Sequence, residues 1–228
     1  MSELWLLLSS PTGAPAYNMA LDEALLRTAG QRARPLLRVY SWSEPAVTFG
    51  YFQKFPAHLA ERHTVIRRPT GGGIVHHTAD TTYTVVVPPG HALHAMSTQD
   101  AYNFLHRAVS AALTLKSQAE SARPAKQITS HRSPTRGHYE CFQNPVAGDV
   151  VADDGAKLAG GAQRRGKNGM LHQGSIAAKV SAEQLTQGFR DALSADFTPY
   201  ELTADERALA EKLTREKYST DAWNRRIT

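Results

Sequence analysis

Residues 81–87, TTYTVVV, hold only β-branched and aromatic side chains. Such a run crowds a helix and suits a pleated surface, so it predicts a strand, and the chain has to build a sheet around it. Directly before it lies RRPTGGGIVHH, Arg67 to His77. Consecutive glycines reach backbone angles closed to other residues and let a ligand approach the main chain without meeting a Cβ. Their successive N–H groups can form an anion-binding nest, and flanking arginines add charge-assisted donors. No Gly-Lys-Ser/Thr follows, so this is not a Walker A loop. The glycines lead into a strand and not a helix, so it is not a dinucleotide fingerprint either. The plain alternative is a glycine-rich turn with its arginines on the surface.

The segments around this pair set the fold class. LWLLLSS reads as a first strand. AYNMALDEALLRTAG reads as a helix, with Met19, Leu21, Ala24, Leu25 and Thr28 at three-to-four spacing and Gly30 as its stop. LLRVYSWS, AVTFGYFQ and HTVIRRP read as short strands. STQDAYNFLHRAVSAALTL reads as a helix with Ser97 and Asp100 at capping-box spacing. Residues 117–138 are polar and aperiodic and are expected to be a long mobile loop. GDVVADDGAKLAGGAQRR, with DDG as a hairpin turn, and GMLHQGSIAAKV are β-like. Two helices close the chain, opened by Ser181 with Gln184 and by Thr203 with Glu206. A sheet with one helix inserted, then helices, predicts an α+β fold.

The 228 residues suit a single domain over 1–228, and 41% hydrophobic residues can fill an ordinary core. No run of about eighteen apolar residues spans a membrane, and the N-terminus lacks the basic start of a signal peptide. The single cysteine, Cys141, allows no intramolecular disulfide and suits a reducing, cytoplasmic setting. The formal net charge of +5 is concentrated in Lys116, Arg123, Lys126, Arg132 and Arg136, against Glu120 alone. That stretch suits an acidic protein partner or an anionic ligand more than nucleic acid.

A second cluster, KLAGGAQRRGKNGMLHQGSI, carries Lys157, Gly160, Gly161, His172 and Gly174, and two glycine clusters with basic residues point to one shared pocket. At these residues the chain resembles the biotin/lipoate protein ligase family, in its branch of lipoate–protein ligases and cysteine-dependent octanoyltransferases. NMALDEALL, YSWSEPAVTFGYFQ, RRPTGGGIVHH, TYTVVVP, KLAGGAQRR, LHQGSI and KYSTDAWNRR match it in order and spacing. The Arg-rich loop that marks biotin ligases is absent, which disfavours biotin as substrate. The resemblance implies a central mixed, largely antiparallel sheet with flanking helices. It also implies an acyl pocket formed by Arg67, Arg68, Gly71, Gly72, Gly73, His76, Gly160, Gly161, His172 and Gly174, with Lys157 near the reacting carbonyl. The acceptor it implies is a lysine of a lipoyl domain, such as that of glycine cleavage H protein.

Cys141 weighs between the two chemistries of this branch. It lies in YECFQNPVAGDVV, which resembles the Cys-Phe-x-x-Pro segment that carries the nucleophile of one octanoyltransferase group. The leading reading is transfer of an octanoyl or lipoyl group from acyl carrier protein, through a Cys141 thioester, to a lipoyl-domain lysine, with no cofactor. A thiolate is the attacking species, and a neighbouring ammonium favours it. The second reading is an ATP- and magnesium-dependent lipoate–protein ligase that forms lipoyl-adenylate, alone or with a separate small partner protein. The third is a non-catalytic protein that binds acyl-carrier or lipoyl domains. Gly73, where the transferase group often has arginine, and His172 lean toward the ligase. His76 is taken as the motif histidine. The family usually has aspartate next, where this chain has His77, expected as a neutral surface residue. The histidines do not assemble a metal site.

Overall fold

The computed structural model describes residues 2–116, 141–143 and 145–227, and the backbone of Arg123 and Pro124. The rest of the basic stretch expected over 117–138 lies outside the described residues. The strands run β1 (Glu3–Ser9), β2 (Leu36–Tyr40), β3 (Ala46–Phe49), β4 (Thr64–Arg67), β5 (Val75–His77), β6 (Thr81–Val87), β7 (Arg123–Pro124), β8 (Val150–Val151), β9 (Lys157–Gly166), β10 (Gly169–Ile176) and β11 (Ala195–Pro199). The helices are α1 (Pro15–Arg27), α2 (Ala92–Ala95), α3 (Thr98–Lys116), α4 (Ala182–Leu193), α5 (Ala204–Leu213) and α6 (Asp221–Asn224), with a π-helical turn at Thr214–Tyr218.

Eight strands form one sheet in the order β11-β1-β2-β6-β10-β9-β8-β7, and β4-β3-β5 form a second. In the large sheet β1 runs parallel to β2 and β11, and the other pairings are antiparallel. The fold is therefore α+β with a mixed, largely antiparallel sheet, as expected. β6 is buried along its whole length, because helices cover both faces. Tyr83, Val85 and Val87 join the core under α3 and α4, while Val86 joins the core under α1 and α5.

The three capping pairs read from the sequence form. Ser181 and Thr203 make full capping boxes with Gln184 and Glu206, and the Asp100 N–H donates to Ser97 Oγ at 3.1 Å. The DDG turn closes through Gly155, whose N–H donates to the Ala152 carbonyl. Three features of the pairing escape a local reading. β11 is short and polar and exists because it pairs with β1. β7 pairs with β8 where a loop was expected. β3, β4 and β5 leave the main sheet to form their own.

A buried polar network ties α1 to the site. Asp22 on α1 is fully buried despite its charge. It accepts from Arg38 Nη1 at 2.6 Å, Gln173 Nε2 at 2.7 Å, Thr84 Oγ1 at 2.8 Å and the Tyr40 hydroxyl at 3.1 Å. Gln173 Oε1 in turn accepts from Thr70 Oγ1 at 2.7 Å, at the entrance to the glycine loop. Removing one partner of a buried pair strands the other charge without solvent. Asp22→Ala should cost about 3–5 kcal/mol in urea unfolding, and a loss under about 1 kcal/mol would contradict this role.

Candidate active site

The two sheets enclose a pocket. The small sheet and its glycine loop supply Thr48, Arg68, Gly72, Val75 and His77. The large sheet supplies Gly160, Gly161, Ala162, Gln173, Gly174 and Ser175. Met19, Tyr40 and Trp42 add an apolar flank, and Cys141 and Phe142 face in from the far side. The glycine clusters of the sequence thus meet in one pocket. The Cys141 N–H donates to the Ile74 carbonyl at 2.9 Å, which pins the cysteine segment to the end of the glycine loop.

Cys141 is half-buried. Lys157 Nζ lies 3.4 Å from its Sγ and donates to its carbonyl at 3.0 Å. On its other side Lys157 is paired with the buried Asp149 at 2.8 Å. Burial opposes the ammonium, but the neighbouring Cys141 and Asp149 outweigh it and hold the Lys157 pKa above its ordinary value. Lys157 is therefore charged throughout the neutral range. Burial lowers the pKa of Arg68 to about 10, opposed by Cys141, and both residues line the pocket. Asp149 also accepts from the Tyr102 hydroxyl at 2.5 Å, and that hydroxyl accepts the Gly161 N–H at 2.9 Å. The Gly161 N–H is thus engaged, and Lys157 is the donor that faces the thiol. Gly160 has a steric reason: a Cβ there would lie 2.3 Å from Lys157 Cε. Gly72 has a conformational one, a φ of +88° that favours glycine.

Of the residues assigned to the pocket from the sequence, Arg67, Gly71, Gly73, His76 and His172 do not line it, and the side chains of three of them point elsewhere. Arg67 donates to the carbonyls of Tyr51, Gln53 and Asn224 at 2.6–2.9 Å and clamps the C-terminal segment instead. His76 is exposed on β5. His172 is buried on the opposite face of β10, with Nε2 3.1 Å from the Tyr83 hydroxyl. The side chains that face the pocket are their neighbours Arg68, His77 and Gln173. Arg68 does not reach outward either: Nη2 donates to the carbonyls of Gly71 and Gly73 at 2.8 Å and holds the loop in shape.

His77 is buried, not a surface histidine, and stacks on Trp42 with ring centroids 4.1 Å apart. The carboxylate that seemed lost beside it is supplied by Asp80, whose Oδ2 lies 2.8 Å from His77 Nδ1. Asp80 can only accept, so Nδ1 carries the proton. Nε2 then accepts from Thr48 Oγ1 at 2.8 Å, and Thr48 accepts from Arg68. The other functional residues that sequence reasoning missed are Asp149, Trp42, Gln173 and Ser175. No spacing marks them; long-range pairing brings them here.

Burial, above all, lowers the pKa of His77 despite Asp80, of His106 to about 4, and of His172 well below the ordinary value. Their folded-state values lie below the unfolded value of about 6.5, so the unfolded chain binds protons that the native chain does not. Stability should therefore fall as pH drops below about 6.5. Between pH 7.5 and 5.5 the three should together cost up to about 4 kcal/mol in urea unfolding. A flat profile over that window would contradict neutral burial. Among the described residues no cluster of metal-ligating side chains occurs, and no helix is long and apolar enough to cross a membrane.

Residues 14–217 match the family described as the lipoyl protein ligase A/B catalytic domain, and the chain belongs to that family. The octanoyltransferase LipM of Kyrpidia tusciae is 32% identical, over 98% of this chain and 99% of that one. The LipM of Geobacillus kaustophilus is 30% identical over 97% and 98%. Among solved structures, lipoate-protein ligase A bound with ATP superimposes with a TM-score of 0.75 at 24% identity, over 98% of each chain. The bipartite lipoate protein ligase of Thermoplasma acidophilum does so at 0.74 and 23%, over 98% of this chain and 96% of that one. Those two likenesses establish the fold.

Proposed function

We propose that this chain is a protein octanoyltransferase that works through a Cys141 thioester. The observation that carries the reading is the single thiol of the chain lining the acyl pocket with the Lys157 ammonium 3.4 Å from its sulfur. The Cys141 thiolate attacks the thioester carbonyl of an octanoyl acyl carrier protein. A carbon–Sγ bond forms, the carbon–sulfur bond to the carrier breaks, and the carrier thiolate leaves and takes up a proton. A neutral lysine amine of a lipoyl domain then attacks the same carbonyl. The carbon–nitrogen bond forms, Sγ leaves as thiolate, and the amine nitrogen gives up one proton to solvent. Lys157 stabilises both the thiolate and the oxyanion of each tetrahedral intermediate.

Gly72, Gly160, Gly161 and Gly174 line the acyl pocket with backbone, and Met19, Tyr40, Trp42 and Phe142 cover the apolar length of the chain. Thioester to thioester to amide runs downhill, so neither nucleotide nor metal is required. The whole chain acts as one catalytic unit in the cytoplasm, where Cys141 stays reduced. The acceptor is a lipoyl-domain protein such as glycine cleavage H protein. The names of the LipM relatives support octanoyl transfer over ATP-dependent ligation. The test is acyl transfer from octanoyl carrier protein to a lipoyl domain, with and without ATP and magnesium. The reading expects equal rates, and transfer of lipoate or octanoate only when ATP is present would overturn it.

A further inference from the structure

The pocket opens beside a surface of unusual chemistry. Gly160 and Ala162 line the pocket from alternate positions of β9, and Arg164 continues the same face outward to solvent. Its guanidinium lies 5.8 Å from the centroid of the Tyr51 ring. A second guanidinium, of Arg226, lies 3.6 Å from that ring and donates to the Tyr51 carbonyl at 2.8 Å. Next to them Phe52 is 80% exposed. This group is fixed to the pocket and does not drift beside it. The Tyr51 N–H donates to the Thr70 carbonyl at 2.8 Å, at the start of the glycine loop. Arg67 clamps Trp223 and Asn224, which places Arg226 against Tyr51.

Among the described residues no carboxylate forms an ion pair with Arg164 or Arg226, whereas Arg225 is paired with Asp221 at 3.2 Å. Stacked guanidiniums lose little freedom on binding, and arginine with aromatic residues is the composition of protein-interface anchors. We propose that Tyr51, Phe52, Arg164 and Arg226 form the docking surface for the acyl donor, a carrier protein with an acidic face. The lysine acceptor is the poorer fit, because its reacting amine is cationic when protonated and meets the same guanidiniums. This assignment rests on the carrier-dependent reading above.

The test separates the two half-reactions in Phe52→Ser and in Arg164→Glu/Arg226→Glu. Loading of Cys141 is followed by intact mass with octanoyl carrier protein and, separately, with octanoyl-pantetheine, which lacks carrier and phosphate. Transfer from preloaded enzyme to a lipoyl domain is measured alone. The double variant should lower kcat/KM for carrier loading about 30-fold at low salt, with the gap narrowing as salt rises. Phe52→Ser should lower it with little salt dependence. Octanoyl-pantetheine loading and preloaded transfer should stay within about twofold. Equal loss with octanoyl-pantetheine would make the surface a support for the fold, loss confined to preloaded transfer would make it the acceptor's site, and no loss would make it a solvated face. Each overturns the proposal. Failure of the parent to load from any thioester would instead overturn the transferase reading, and this one with it.

Discussion

Cys141→Ala should lower acyl transfer from carrier to lipoyl domain by at least about 10³-fold, on the order of 4 kcal/mol in transition-state stabilisation. The reason is chemical. Without the thiol the octanoyl group has no covalent resting place between a donor and an acceptor that visit in turn. The effect should not come from unfolding. Cys141 is half-buried, and apart from the 3.4 Å approach of Lys157 to its Sγ its hydrogen bonds run through its backbone: the N–H to Ile74 and the carbonyl to Lys157. The variant keeps both. The check is steady-state transfer beside urea unfolding of the same preparation. Retention of activity within a few fold would remove the thioester from the mechanism.

Lys157→Met should lower kcat by about 10²–10³-fold, the scale of a lost oxyanion donor. It should also destabilise the fold by about 3–5 kcal/mol, because Asp149 is left charged and buried without its partner. The two effects can be separated. Lys157→Met/Asp149→Asn removes both charges, so stability should largely return while the rate should not. A stable double variant with nearly full activity would show that Lys157 only balances Asp149. The pH dependence has a definite sign. Facing Cys141 and Asp149 hold the Lys157 pKa above its ordinary value, against burial. Its contribution to stability is therefore complete below about 10.5 and is lost only as pH rises through the raised value.

Much of the fold was legible because it is locally encoded. Helix caps at Ser97, Ser181 and Thr203 and the β-branched run of β6 need only neighbours in sequence. What was missed is set by partners far away. β11 forms by pairing with β1, and Asp22 is tolerated inside the protein because Arg38, Tyr40, Thr84 and Gln173 converge on it. The site shows the same division. Cys141, Lys157 and the glycines could be nominated, and they meet in one pocket or at its edge. The errors share one cause. Arg67–Arg68, His76–His77 and His172–Gln173 are adjacent pairs on or beside strands, where successive side chains point to opposite faces. Sequence alone does not say which member of each pair faces the pocket. In all three it is the second, and the first serves the scaffold or faces solvent. Asp149 was missed for a related reason: its link to Lys157 depends on the path of the chain between β8 and β9.

The most direct test is intact-protein mass after mixing the purified chain with octanoyl carrier protein, without ATP. The account predicts a single octanoyl adduct that hydroxylamine removes, that Cys141→Ala fails to form, and that disappears when a lipoyl domain is added. No adduct, with acylation of the lipoyl domain only once ATP and magnesium are supplied, would contradict it and make the thiol a bystander beside Lys157.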